Sequence, residues 1–150
     1  MRLLLDTNII LDTILKREPF FKVTKDFFIT AENNKDEIYV CVSSLRDLSY
    51  FIHKYVHSNE QTNNILIDIY SRVTKVVGIT TDDTIEALYE DGDYEDNLIA
   101  MTADTAMCDA IISRDKKFKN FRVVLTPEEY LKLTSHKLKK TLTSLQIYAM

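Results

Sequence analysis

Residues 1–10, MRLLLDTNII, decide how the rest of the chain is read. Leu3 to Leu5 is a short apolar run that reads as a buried strand, and Asp6-Thr7-Asn8 follows as a loop at its carboxyl end. Ile9 to Lys16 then has a helical pattern, so the chain opens as strand, acid, helix. The unit recurs. Ile38 to Val42 reads as a second strand followed by Ser43-Ser44 as a helix cap, with Leu45, Leu48, Phe51, Ile52 and Tyr55 on one helical face to about His57. Val76 to Thr80, Ala110 to Ser113 and Arg122 to Leu125 read as further strands. Between them lie helices over Pro19 to Ala31, Glu60 to Val73, a segment capped by Thr81 or Asp82, and Asn97 to Met107. Thr126-Pro127-Glu128-Glu129 opens a last helix with Thr as cap and Pro in its first turn. Strands alternating with helices at these lengths predict an α/β fold with a mostly parallel sheet of four to five strands.

The composition narrows the function. The chain has 150 residues, 45% of them apolar, and a net charge of −4, which describes one domain able to bury a core without disulfides. Cys41 and Cys108 show no metal-binding spacing and read as buried thiols in a reducing cytoplasm. No signal peptide or membrane span is expected. Gly78 and Gly92 are the only glycines, too few for the phosphate-cradling loops of dinucleotide or nucleoside-triphosphate sites. The charge is uneven: residues 116–150 carry eight Lys or Arg against two Asp or Glu, and residues 1–115 carry eleven against twenty-one.

Four of these acids point to chemistry. In an open parallel sheet, functional groups gather beyond the carboxyl ends of the strands. Asp6 directly follows the first strand, Asp115 lies beyond the fourth, and Asp47 stands in the first turn of the helix leaving the second. Asp96 starts a helical stripe continued by Ile99, Ala100, Ala103 and Met107, so it faces inward. Carboxylates gathered at a half-buried rim repel one another unless a cation neutralises them, and Mg²⁺ or Mn²⁺ is the natural hard ion. Such an ion can activate water for attack on a phosphoryl group. Asn8 offers a supporting amide, and Ser43 and Ser44 offer hydroxyls or helix-start amides to an anion. Arg114, Lys116, Lys117 and Lys119 border the last acid in RDKKFKNF, a basic loop suited to RNA phosphates. Taken singly, each feature has a bland reading as a helix-start acid or a solvated lysine loop; the combination favours a metal site.

The same residues carry a family resemblance. LLLDTNIILD, VSSLRDLSYFIHK and DYEDNLIAMTADTAMCDAIISRDKKF, taken in order, resemble the PIN-domain ribonucleases, in particular the VapC-like toxins of prokaryotic toxin–antitoxin pairs. The likeness runs from Arg2 to about Leu131. It implies a three-layer α/β/α sandwich over residues 1–132, with residues 133–150 as a basic amphipathic extension. It implies an endoribonuclease site in which Asp6, Asp47, Asp96 and Asp115 bind Mg²⁺ or Mn²⁺ and Asn8 supports the first. An antitoxin partner and a homodimer follow from the same likeness. Two positions depart from the family pattern: Asp47 stands where Glu is common, and Lys117 stands where relatives often have a second acid. Asp109 looks structural.

Other classes fit less well. A haloacid-dehalogenase-type phosphatase needs an acid two residues after the first Asp, where this chain has Asn8. A receiver domain needs an Asp directly after a middle strand, and the strand at Val76 to Thr80 has none before Asp82. His53 and His57 have metalloprotease spacing but flank Lys54 rather than the expected Glu. A catalytically inactive PIN-like scaffold or partner-binding module, or a metal-dependent phosphatase, remains the alternative to a nuclease.

Overall fold

The computed structural model describes residues 1–115 and 117–148, with side chains described through Lys137. Five strands form one sheet in the order β3-β2-β1-β4-β5, with every neighbouring pair parallel: β1 (Arg2–Leu5), β2 (Glu37–Cys41), β3 (Lys75–Val77), β4 (Ala110–Ile112) and β5 (Val124–Leu125). The helices are α1 (Thr7–Ile14), α2 (Phe21–Asn33), α3 (Val42–Val56), α4 (Asn59–Arg72), α5 (Thr81–Tyr89), α6 (Tyr94–Thr105) and α7 (Pro127–Tyr148). The strand order reverses at β1, so a crevice opens beyond the carboxyl ends of β1 and β4.

Side-chain alternation along the strands builds two cores. Leu3, Leu5, Ile38, Val40, Ala110 and Ile112 face one side, where Ile9 and Ile10 of α1, Phe27 of α2, Leu48 and Ile52 of α3, Ile69 of α4 and Tyr130 of α7 cover them. Leu4, Tyr39 and Ile111 face the other, against Ile99, Ala100 and Ala103 of α6 and Phe118 and Phe121 of the loop after β4. Helices therefore cover both faces, as the three-layer expectation required. Each fully buried leucine or isoleucine here stabilises the fold by roughly 1.5–3 kcal/mol.

Three local expectations change. Helix α3 starts at Val42 with Cys41 in the capping position, so Ser43 and Ser44 are already helical and cap nothing. Asp47 accordingly sits in the second turn, not the first. Thr80, one residue earlier than expected, caps α5 through a reciprocal pair with Asp83: each backbone N–H donates to the other's side chain at 3.0 Å. The last helix behaves as read. Glu129 N–H donates to Thr126 Oγ1 and Thr126 N–H to Glu129 Oε2, both at 3.1 Å. Helix α7 continues without a break across residues 132–133. The apolar stripe expected at Leu138, Leu142 and Leu145 lies outside the described side chains.

Candidate metal and nucleic-acid site

The register of β1 and β4 builds the first half of the site. Leu5 pairs with Ile112, so the next residues, Asp6 and Ser113, leave the sheet side by side. Asp6 N–H donates to the Ile112 carbonyl at 2.9 Å, which continues the ladder one step past the strand. The Ser113 hydroxyl donates to Asp6 Oδ2 at 2.9 Å and accepts the Asp115 backbone N–H at 3.1 Å. Asp6 is 3% exposed, so its carboxylate is held in one orientation inside the fold and only its rim side remains open. Burial pushes its pKa up; the Lys117 ammonium and the Ser113 hydroxyl pull the other way without cancelling the shift.

Helix α6 supplies the second half. Asp93 caps it, accepting the Asp96 N–H at 3.1 Å, which places Asp96 in the first turn beside the helix N-terminus. The neighbouring Asn97 is buried and fixes this end of the helix. Its amide donates to the Glu90 and Asp91 carbonyls at 3.2 Å each, and its Oδ1 accepts from Asn120 Nδ2 at 2.6 Å. One side chain thereby ties the turn before α6 to the loop after β4. Gly92, at φ 105°, lets the turn fold over that amide in a conformation L side chains resist.

Lys117 joins the two halves. Its Nζ lies 3.3 Å from Asp96 Oδ1 and 3.9 Å from Asp6 Oδ2. Burial opposes its charge, but Asp6 and Asp96 outweigh that and hold its pKa above the ordinary lysine value. Asp115 is exposed and adds to the negative field on the same ammonium. Asp47 stands further round the rim, with Arg46 Nη2 at 3.3 Å and Glu95 against it. Burial raises the Glu95 pKa, and the Asp47 charge and a hydrogen bond with Asp47 push it the same way.

The expected site residues divide accordingly. Asp6 and Asp96 share a cation, Asp115 borders it, and Asp47 reaches the group through Glu95. Asn8 turns away: its Oδ1 accepts from Arg17 Nη1 at 3.3 Å. Ser44 is buried with its hydroxyl lacking a hydrogen-bond partner, and the Ser43 hydroxyl lies 3.1 Å from Cys41 Sγ. Arg114 turns inward onto Asp12, with Nε 2.7 Å from Oδ2. Lys119 is exposed, and Lys116 lies outside the described residues. The basic loop therefore divides its cations between the interior and solvent.

Sequence reasoning passed over Ser113, Glu95, Asn97 and Asp12. Ser113 lies inside the quoted ISRD, but a serine ending a strand gives no signal until the β1–β4 register is known. Glu95 is one of eight acids over residues 82–96, and the stripe that selects Asp96 does not select it.

The donor chemistry suits a hard divalent ion. Among the described residues, no three His, Cys, Asp or Glu side chains converge tightly enough to hold an ion as a set. Asp6 and Asp96, however, already share one positive charge, and Mg²⁺ typically takes one or two protein carboxylates and keeps several waters. Asp6 and Asp96 would hold the ion, with Asp115 beside them.

Comparison with known proteins gives the site its family. The model of the PIN domain matches residues 2–117, from β1 to Lys117, and the chain belongs to that family, whose members are nucleases. Among solved structures, the chain is similar to VapBC2 from Rickettsia felis bound to a DNA fragment from its promoter. That match has 19% identity and a TM-score of 0.62 and covers 84% of this chain and 98% of the other. It is also similar to a toxin–antitoxin complex from Klebsiella pneumoniae, at 22% identity and a TM-score of 0.62, covering 83% and 96% of the two chains. No curated protein matches the sequence. The likeness to these structures establishes the α/β PIN fold.

Proposed function

We propose that the chain is a Mg²⁺- or Mn²⁺-dependent endoribonuclease that hydrolyses RNA phosphodiesters at the rim between β1, β4 and α6. The observation that carries this is the Asp6–Lys117–Asp96 bridge, two carboxylates from different elements converging on one cation at the switch point of the sheet. A bound divalent ion would supply an activated water and stabilise charge on the phosphoryl oxygens. The chain's own residues prepare that place. Ser113 fixes the orientation of Asp6, and Asn97 fixes the end of α6 that presents Asp96. Asp115 keeps the open side negative, and Asp47 and Glu95 add carboxylates at its edge. Lys119, and Lys116 by its place in sequence, suit the phosphates flanking the cleaved bond.

The biological reading is the toxin of a toxin–antitoxin pair acting in the cytoplasm; its toxin part is supported by a similar solved structure described as a toxin–antitoxin complex. No described helix is long and apolar enough to cross a membrane. A homodimer belongs to the same reading, and exposed Tyr50 and Tyr55 on α3 and Leu88 and Tyr89 on α5 offer apolar surface for it. The unit that acts is residues 1–132, with 133–150 as an extension.

In the test, purified chain should cleave RNA with Mn²⁺ and stop on chelation, and Asp6→Asn or Asp96→Asn should lower the rate at least about 100-fold while leaving the fold intact. Wild-type protein that binds Mn²⁺, carries no copurified inhibitor and still leaves structured and unstructured RNA intact would overturn the assignment. One observation favours a second reading. Lys117 offsets one of the two negative charges without any metal, as a PIN-like partner-binding scaffold would do. That protein would bind no Mn²⁺ at this rim.

A further inference from the structure

We propose that Lys117 is a resident counter-ion that occupies the cation place between Asp6 and Asp96, and that a divalent ion binds there only by displacing it. The inference rests on the metal-dependent reading above and adds a determinant of metal affinity supplied by the loop after β4. Three observations carry it. The ammonium contacts acids from both halves of the site, at 3.3 Å and 3.9 Å, so it sits where their fields overlap. Asp6 is almost fully buried, and a carboxylate so placed needs a nearby positive charge to stay ionised. The Lys117 side chain is itself 38% exposed, so it has a route to solvent that a buried structural lysine lacks.

The electrostatics make the two cations exclusive. A divalent ion on Asp6 and Asp96 would lie in contact with an ammonium bound to the same oxygens, and the like charges repel strongly at that separation. The ion must also give up water to bind, whereas the lysine is tethered and at high effective concentration. Lys117 thus serves two ends. It holds Asp6 and Asp96 together in the absence of metal, and it raises the free metal concentration needed to fill the site. The Phe118 ring, 5.2 Å from the ammonium, gives the charge a second contact on the loop side.

The full chain tests this by Mn²⁺ titration calorimetry, with thermal melts in chelator and in Mn²⁺ as a readout independent of cleavage. Lys117→Met keeps much of the length and removes the charge. It should bind Mn²⁺ at least about tenfold more tightly than wild type. It should also melt lower in chelator and gain more from Mn²⁺, since stabilisation by a ligand grows with its affinity. Lys117→Arg keeps the charge and should bind Mn²⁺ no more tightly than wild type, which separates displacement of a charge from mere enlargement of the space. If Lys117→Met does not fold in chelator, Lys117→Gln is carried through the same titration.

The outcomes separate the two claims. Wild-type binding with unchanged or weaker binding by Lys117→Met overturns the displacement and leaves the nuclease reading standing. No binding by wild type but clear binding by Lys117→Met supports the displacement and removes the metal-dependent reading of the native chain. No binding by either overturns both.

Discussion

Two buried carboxylates six residues apart in one segment meet opposite environments. Asp12, on α1, is fully buried between two arginines: Arg114 Nε lies 2.7 Å from its Oδ2 and Arg17 Nη1 3.7 Å from its Oδ1. The Arg114 guanidinium is itself stacked 3.9 Å above the Phe20 ring. Asp6, at the end of β1, is nearly as buried but has one lysine whose nearest approach is 3.9 Å. Burial pushes the pKa of both carboxyls up. Asp12 is given permanent planar cations from the β4 loop and the α1–α2 turn, which fasten those elements together. Asp6 has only the single charge of a partly exposed lysine, which on the proposed function is the difference between an acid that holds the fold and one kept available for a cation from outside.

The largest effect should come from removing the structural acid. Asp12→Ala leaves Arg114 and Arg17 partly buried without their carboxylate, a change that costs about 3–5 kcal/mol when both partners are fully buried. Arg114 and Arg17 retain 24% and 36% exposure, so solvent recovers part of that. We expect a loss of about 2–4 kcal/mol, or roughly 4–16 °C in Tm. A melt within 2 °C of wild type would show that Asp12 is not the anchor described.

Asp12 also marks the limit of what the sequence discloses. The buried run Leu3–Leu5, the helical stripe that turns Asp96 inward and the strand–helix alternation are local patterns, so the parallel sheet, its two faces and the rim acids were legible. The identity of each acid's partner is not local. Arg114 and Lys117 are three residues apart in one basic loop, and composition makes both RNA contacts. Only the fold shows that one reaches back to α1 and the other spans β1 and α6. Ser43-Ser44 resembles a cap and so puts Asp47 in the first turn, while the backbone turns helical at Val42, directly from the strand, and Asp47 falls one turn later. Glu95 escaped for a similar reason, since its partner Asp47 lies on a helix 48 residues earlier in the chain.

Asp6→Asn should show the opposite sign from Asp12→Ala. An amide of the same shape can still accept from Ser113 and carries no charge to desolvate. The raised Asp6 pKa means that the folded state disfavours its ionised form. In chelator we therefore expect Asp6→Asn to be more stable than wild type by about 0.5–1 kcal/mol, a gain of roughly 1–4 °C. The pH dependence follows from the direction of that shift. Below the ordinary carboxyl range both side chains are neutral and the two proteins should melt alike. As pH rises through the folded-state value of Asp6, wild type loses stability that the variant keeps, and the gap opens. Added Mn²⁺ should narrow it by stabilising wild type alone. A variant that melts lower than wild type in chelator at neutral pH would place Asp6 with Asp12, as an acid the fold depends on.

The smallest effect tests the boundary between the two regions. Phe20 touches the arginine of the structural pair and makes no described contact with Asp6, Asp96 or Lys117. Replacing the ring by a branched aliphatic chain keeps most of the packing and removes the π face beneath the guanidinium, an interaction worth about 0.5–1 kcal/mol at a partly exposed site. Phe20→Leu should therefore lower Tm by roughly 1–4 °C. Its Mn²⁺ affinity should stay within about twofold of wild type, because the ring's effect is exhausted on Arg114 and Asp12. Arg114 directly precedes Asp115, however, and both belong to the loop that carries Lys117. If Phe20→Leu changes Mn²⁺ affinity by about fivefold or more, a loosened Arg114 is moving that loop, and the structural pair sets the position of the cation site as well as the stability of the fold.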